Sequence, residues 1–178
     1  MTRYLNLQDI IAQVEKSLED ENYIAALTLA LTIPDKCGKA EYPNAGVGRR
    51  YIDWYDVWCN SSDPEASADS PPDANGKIIY KLRCALLHDN STELQYTDQE
   101  NDIKIDDFEL EMTDDNKWCF SVFASSITNG EVKQLRIRII DLCKWICYGA
   151  GTYYKKNKEK VDQSNSIKVV DYRHRFKK

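Results

Sequence analysis

The chain has 178 residues, 42% of them hydrophobic, and a formal net charge of −5 from 24 Lys and Arg against 29 Asp and Glu. That length and apolar share suit one sizeable core, so residues 1–178 are expected to form one domain. The negative balance argues against a simple electrostatic nucleic-acid binder, and no stretch approaches the apolar length of a membrane span.

Met1-Thr2-Arg3-Tyr4, followed by Asn6 and Gln8-Asp9, lacks the apolar run of a signal peptide, so a cytoplasmic location is expected. Asn6-Leu7-Gln8-Asp9 has the form of a helix N-cap with an acidic third position, and Leu7, Ile11, Val14 and Leu18 follow at helical spacing. The first helix should run to about Glu19. Asn22 then caps a second helix or marks a bend, and the nearly all-apolar Tyr23 to Ile33 should form a central helix that stops at Pro34. Residues 34–48, with Pro34, Gly38, Pro43, Gly46 and Gly48, read as a long structured loop.

Between Arg49 and Cys59, the aromatic residues Tyr51, Trp54, Tyr55 and Trp58 fall at i, i+3, i+4 and i+7, on one helical face. Such a stripe either fills a core or stacks bases. Arg49 and Arg50 open the same helix and are candidate phosphate-binding residues. Residues 60–76, rich in Ser and Pro, read as a flexible loop leading to a further helix.

That helix carries Tyr80-Lys81-Leu82-Arg83-Cys84-Ala85-Leu86-Leu87-His88-Asp89-Asn90, with one of the two histidines of the chain five residues after an arginine. A histidine exchanges protons near neutral pH, and an arginine grips phosphate through two parallel hydrogen bonds. The pair therefore suggests work on a phosphodiester. At about 100° per residue, Ile78, Ile79, Leu82, Ala85 and Leu86 fall within one arc of about 120°. Arg83 lies about 40° beyond one edge of it and His88 about 60° beyond the other. If the stripe or its margin packed against a two-fold mate, four such side chains would gather at one seam; if it packs within the chain, they are boundary residues.

The segment resembles the R-x4-6-H signature of the HEPN (higher eukaryotes and prokaryotes nucleotide-binding) superfamily. The resemblance covers about a dozen residues directly, and it departs from the family pattern where Cys84 holds a place that members usually give to Asn, Asp or His. It implies an all-helical core and a metal-independent endoribonuclease assembled at a homodimer interface from two copies of the motif.

After the motif the period changes to two. Glu93 to Thr97, Ile103 to Met112 and Lys117 to Ala124 alternate, Thr113-Asp114-Asp115-Asn116 is turn chemistry, and a phase slip between Ile105 and Phe108 marks a bulge near Asp106-Asp107. Residues 93–124 are thus expected to form a two- or three-stranded antiparallel hairpin insertion. Residues 93–115 hold ten acidic side chains and Lys104 as the one base, whereas residues 131–178 hold thirteen Lys and Arg against five Asp and Glu. The insertion reads as a solvated or partner-facing surface rather than a metal cluster. The basic third, including Lys155, Lys156, Lys158, Lys160, Arg173, Arg175, Lys177 and Lys178, could attract a phosphate backbone.

A long helix is expected from Asn129-Gly130, with Val132, Leu135, Ile139, Leu142, Cys143 and Ile146 inward. Arg136, Arg138 and Lys144 lie on its wetter side, so Arg136 and Arg138 join the candidate binding residues. The helix should end or kink at Gly149-Ala150-Gly151. Ser166 to Tyr172 is strand-like and could extend the sheet of the insertion, and His174 reads as a tail residue. The six cysteines show no C-x-x-C pair and no histidine completes a ligand set, so reduced core thiols, no metal and no cofactor are expected.

The expected fold is mainly α, a HEPN-like bundle of four or five helices with a small antiparallel β insertion. The leading functional expectation is a metal-independent endoribonuclease on single-stranded RNA, with Arg83 and His88 as catalytic residues in a homodimer. The alternative is a catalytically silent RNA-, nucleotide- or protein-binding module, for instance in a toxin–antitoxin or phage-defence pair whose regulator docks on the acidic insertion.

Overall fold

The computed structural model describes residues 2–60, 75–89, 91–98, 103–112, 121–127, 130–164 and 167–170. Strand β1 (Thr2–Tyr4) leads into α1 (Leu7–Glu19), which begins with a capping box. Asp9 N–H donates to Asn6 Oδ1 at 2.8 Å and Asn6 N–H donates to Asp9 Oδ2 at 3.1 Å, which satisfies two backbone donors at the helix start. Leu7 and Val14 are buried and Leu18 packs against the core, as the spacing requires. The chain then turns through Glu21 at φ 57°, a left-handed residue, into α2 (Tyr23–Ala30).

Pro34 does not end the helical region. It lies in the first turn of α3 (Ile33–Glu41), where the N–H that proline lacks has no helical acceptor to lose. The expected loop over 34–48 is therefore mostly helix. Gly38 lies where α3 crosses α4 (Val47–Trp58), and a Cβ there would collide with the Arg50 carbonyl. The aromatic stripe of α4 faces inward: Tyr51, Trp54 and Tyr55 are fully buried, so the stripe is core and not a base-stacking platform.

Helix α5 (Gly76–Cys84) is capped by the Asn75 side chain, which accepts from Ile78 N–H at 3.1 Å, and continues as a π-helical turn over Ala85–Asp89. The expected loop before it lies, apart from Asn60, Asn75 and Gly76, outside the described residues. Strands β2 (Glu93–Asp98), β3 (Ile103–Glu111), β4 (Ser121–Ile127) and β5 (Gly130–Arg138) form one sheet in the order β2-β3-β5-β4. The β2–β3 and β4–β5 pairs are antiparallel, whereas β3 and β5 run parallel. The insertion is thus a mixed four-stranded sheet reaching Arg138, because β5 takes the place beside β3 that a simple hairpin would give to β4. A register shift between Ile105 and Asp107 puts both Ile105 and Phe108 in the core, which is the bulge read from the phase slip.

The long helix starts later than expected. Residues 130–138 are strand, with Leu135 and Ile137 buried on alternate positions, and α6 (Ile139–Gln163) begins at Ile139. The segment Leu135 to Ile139 fits both periods, and its β-branched residues favour the strand once a partner edge is present. Helix α6 packs against α1, α2 and α3 and touches the end of α4. It bends at Asn157 (φ −132°, ψ 29°), not at the glycines, and Asn157 Nδ2 donates to the Tyr153 carbonyl at 3.2 Å. Strand β6 (Lys168–Val170) pairs antiparallel with β1 and not with the insertion, so Thr2 faces Val170 across a separate two-stranded ribbon. The result is a mainly helical bundle with a small β insertion.

Candidate active site

Helix α5 is fixed at its N-terminal end, ahead of its functional residues. Gly76 N–H donates to Asp56 Oδ1 at 2.6 Å, and a Cβ at Gly76 would meet the Ile52 carbonyl at 2.7 Å, so the helix starts in close contact with α4. Ile78, Ile79, Leu82 and Ala85 are buried within the same chain. The apolar stripe between Arg83 and His88 therefore belongs to the core of one molecule and is not free to form a two-fold seam. Only its margin, with half-buried Leu86 and Leu87 and exposed His88, faces outward.

The α geometry assumed from spacing does not hold through the motif. In an α-helix, residues five apart lie about 140° from one another around the axis. From Ala85 to Asp89 the backbone instead winds as a π turn with i to i+5 bonding, which narrows the angle between residues five apart. Arg83 Nη1 lies 2.8 Å from His88 Nε2 as a result. The guanidinium can only donate, so Nε2 is the acceptor and the imidazole in this contact is neutral, with its proton on Nδ1. Ser91 N–H donates to the Ala85 carbonyl at 3.2 Å and closes the turn.

Arg83 is held from below as well. Its Cζ lies 5.9 Å from the centroid of the Tyr80 ring, a cation–π arrangement, and the Tyr80 ring packs on buried Tyr51 at 5.3 Å. Tyr51 in turn donates its hydroxyl to the Leu31 carbonyl at 3.2 Å. Burial pushes the Tyr80 phenol up and the neighbouring Cys84 adds to the rise, while the Arg83 charge opposes them. Arg83 Nε is buried and has no hydrogen-bond acceptor among the described residues. The outcome is a guanidinium positioned by one aromatic face and one imidazole, with no carboxylate recorded as its ion-pair partner among the described residues. Cys84, next to Arg83, is half-buried.

The four other candidate arginines sit in different settings. Arg50, half-buried, donates through Nε and Nη2 to Asp35 Oδ1 at 3.0 and 2.8 Å, which ties α4 to α3. Exposed Arg49 donates to Asp53 at 2.7 Å on its own helix. Arg136, on β5 rather than on a helix, pairs with Glu109 of β3 at 3.2 Å. Arg138 is a correction: its side chain is 4% exposed and pairs with Asp141 at 3.0 Å, so it lies in the core and not on a wetter face. The basic surface of α6 is partly committed as well, since Lys160 bonds Glu41 at 2.9 Å and Lys156 lies over the Trp58 ring at 5.5 Å. His174 and the basic tail fall outside the described residues, as do several carboxylates of the insertion. Among the described residues, no group of three or more His, Cys, Asp or Glu is placed to hold a metal ion.

Sequence reasoning did not find the cleft beside the motif. Leu86, within the π turn, shares an open hollow of about 470 Å³ with Ser91 and Thr92 and with Phe108, Glu109 and Leu110 of β3. Its two walls come from segments some twenty residues apart, joined where Phe108 N–H donates to the Thr92 carbonyl at 3.1 Å. No periodicity within either segment signals that meeting. Comparison with protein-family models, curated proteins and solved structures finds no match for this chain.

Proposed function

We propose that the chain is a metal-independent endoribonuclease acting on single-stranded RNA through Arg83 and His88. The observation that carries this reading is the 2.8 Å contact between Arg83 Nη1 and His88 Nε2. It keeps an uncharged imidazole beside a guanidinium that has other N–H groups to offer a phosphate. A scissile phosphate that draws the guanidinium to itself frees Nε2 to take the proton of the ribose 2′-hydroxyl. The 2′-oxygen then attacks phosphorus, the bond to the 5′-oxygen breaks, and the products are a 2′,3′-cyclic phosphate and a 5′-hydroxyl. Arg83 stabilises the charge that builds on the phosphoryl oxygens. The R-x4-H resemblance to the HEPN superfamily supports the same assignment.

One imidazole serves one proton transfer at a time. The leaving 5′-oxygen needs a second donor, and a second copy of the motif supplies one if two chains meet along the exposed margin of the π turn. The reading therefore includes a homodimer. Titrating the wild-type protein with excess Arg83→Ala/His88→Ala double variant tests it: loss of cleavage as mixed dimers form supports a composite site, and undiminished cleavage argues that each chain works alone. A second reading, a silent binding module, is favoured by Cys84, which stands next to Arg83 where HEPN members usually carry Asn, Asp or His. In that case the acidic insertion is the docking surface for a regulator.

A further inference from the structure

The hollow beside the π turn has features of a ligand site that the Arg83–His88 chemistry does not use. Its volume of about 470 Å³ falls in the range of small-molecule pockets. Leu86 and Leu110 offer apolar surface, and Phe108 lies nearly buried beneath them. Among the described residues, Glu109 is the one ionisable group in the lining. Its Oε2 accepts from Arg136 Nη2 and Nε at 3.2 and 3.4 Å, which orients the carboxylate and leaves acceptor capacity on the group. Ser91 N–H bonds to the Ala85 carbonyl, so this hollow and the Arg83–His88 pair are built on one turn.

We propose that this cleft receives a guanine base of the RNA, selected by Glu109. The choice of RNA rests on the functional reading above; the choice of guanine rests on the cleft. A carboxylate accepts hydrogen bonds and repels other acceptors. Guanine presents two adjacent donors, N1–H and the 2-amino group, on its Watson–Crick edge. Adenine and cytosine place a ring acceptor beside their amino group, and uracil flanks its N–H with two carbonyls, so each of these sets an acceptor against the carboxylate. Single-stranded RNA is read by proteins through such exposed edges and through contact with base faces. The phosphate is left to Arg83, on the helix that the π turn extends.

Equilibrium titration of the full chain with guanosine, adenosine, cytidine and uridine tests the proposal, because nucleosides engage the cleft without the phosphate site. Guanosine should bind about tenfold or more tightly than the other three, a difference of about 1.4 kcal/mol. Glu109→Gln should abolish that preference with an unchanged circular dichroism spectrum, and Thr92→Trp, on the exposed rim, should block all four nucleosides. Equal binding of the four nucleosides, or guanosine selectivity that survives Glu109→Gln, overturns the proposal. RNA cleavage with no guanine preference would overturn it too while sparing the ribonuclease reading. Guanosine selectivity in a protein that cleaves no RNA would do the reverse.

Discussion

Arg83 Nη1 and His88 Nε2 lie 2.8 Å apart although five residues separate them, because the helix that carries them changes from α to π winding between them. A π turn is rare, occurs mostly as a single-turn bulge within an α-helix, and is frequent at functional sites. Here its consequence is specific: it moves two polar side chains from opposite margins of an apolar stripe into direct contact while the stripe itself stays in the core.

The contact fixes a tautomer. In the wild-type protein, nitrogen-detected NMR of His88 at neutral pH should show the proton on Nδ1 and a bare Nε2. Arg83→Ala should return the ring to a mixture of tautomers. A wild-type ring with its proton on Nε2 would contradict the geometry.

The core predictions follow from burial. Trp54 is fully buried and its ring meets Tyr153 edge-on at 5.7 Å, so Trp54→Ala should cost about 3–5 kcal/mol in denaturant unfolding. Asp141→Ala removes the carboxylate 3.0 Å from the buried Arg138 guanidinium and should lower stability by more than about 1 kcal/mol in the same measurement. A loss below about 1 kcal/mol for either would show that the site relaxes far more than its packing implies.

Gly149 lies where α6 passes the end of α4, and a Cβ there would come within 2.7 Å of Cys59 Sγ and the Trp58 carbonyl. Gly149→Ala should therefore lower stability by about 1–3 kcal/mol, against the helix-propensity gain that alanine ordinarily brings. Gly151→Ala, where nothing lies within 4 Å, is the control and should be neutral or stabilising.

Thiol reactivity separates Cys84 from the other described cysteines. Cys37, Cys59, Cys143 and Cys147 are buried, and burial pushes all four thiols up, Cys147 to about 12. Since only the thiolate alkylates, iodoacetamide on the native protein near neutral pH should leave these four unmodified and label half-exposed Cys84, read by peptide mass spectrometry. The same burial links to stability. The four thiols ionise more readily in the unfolded chain, so their contribution is present below the ordinary thiol range and is lost as pH rises from there toward 12 for Cys147.

The parts of the fold that were legible in sequence are those where a local signal had no rival. Asn6 and Asp9 announce the start of α1, the α4 aromatics announce a buried face, and the slip between Ile105 and Phe108 announces a bulge. Pro34 was ambiguous because the same residue ends one helix and opens the next. Leu135 to Ile139 satisfied both periods, and only the edge of β3, distant in sequence, decides for strand. At the site, residue types and spacing pointed to Arg83 and His88, but their contact depends on a winding that hydropathy does not encode. Arg138 was misplaced because its helical assignment was wrong, and Glu109 went unnoticed because the cleft is made by tertiary contact.

The central claim is that Arg83 and His88 act together on a phosphodiester, and the most direct test is the rate of cleavage of a labelled single-stranded RNA in EDTA. Wild-type protein should cleave it. His88→Ala should lose about 10²–10⁴-fold through the missing proton transfer, and Arg83→Ala about 10²–10³-fold through lost charge stabilisation. Arg83→Lys should recover only part of that loss, because the planar fork is gone. Both alanine variants cleaving at the wild-type rate, or all activity vanishing with the chelator, would contradict the account.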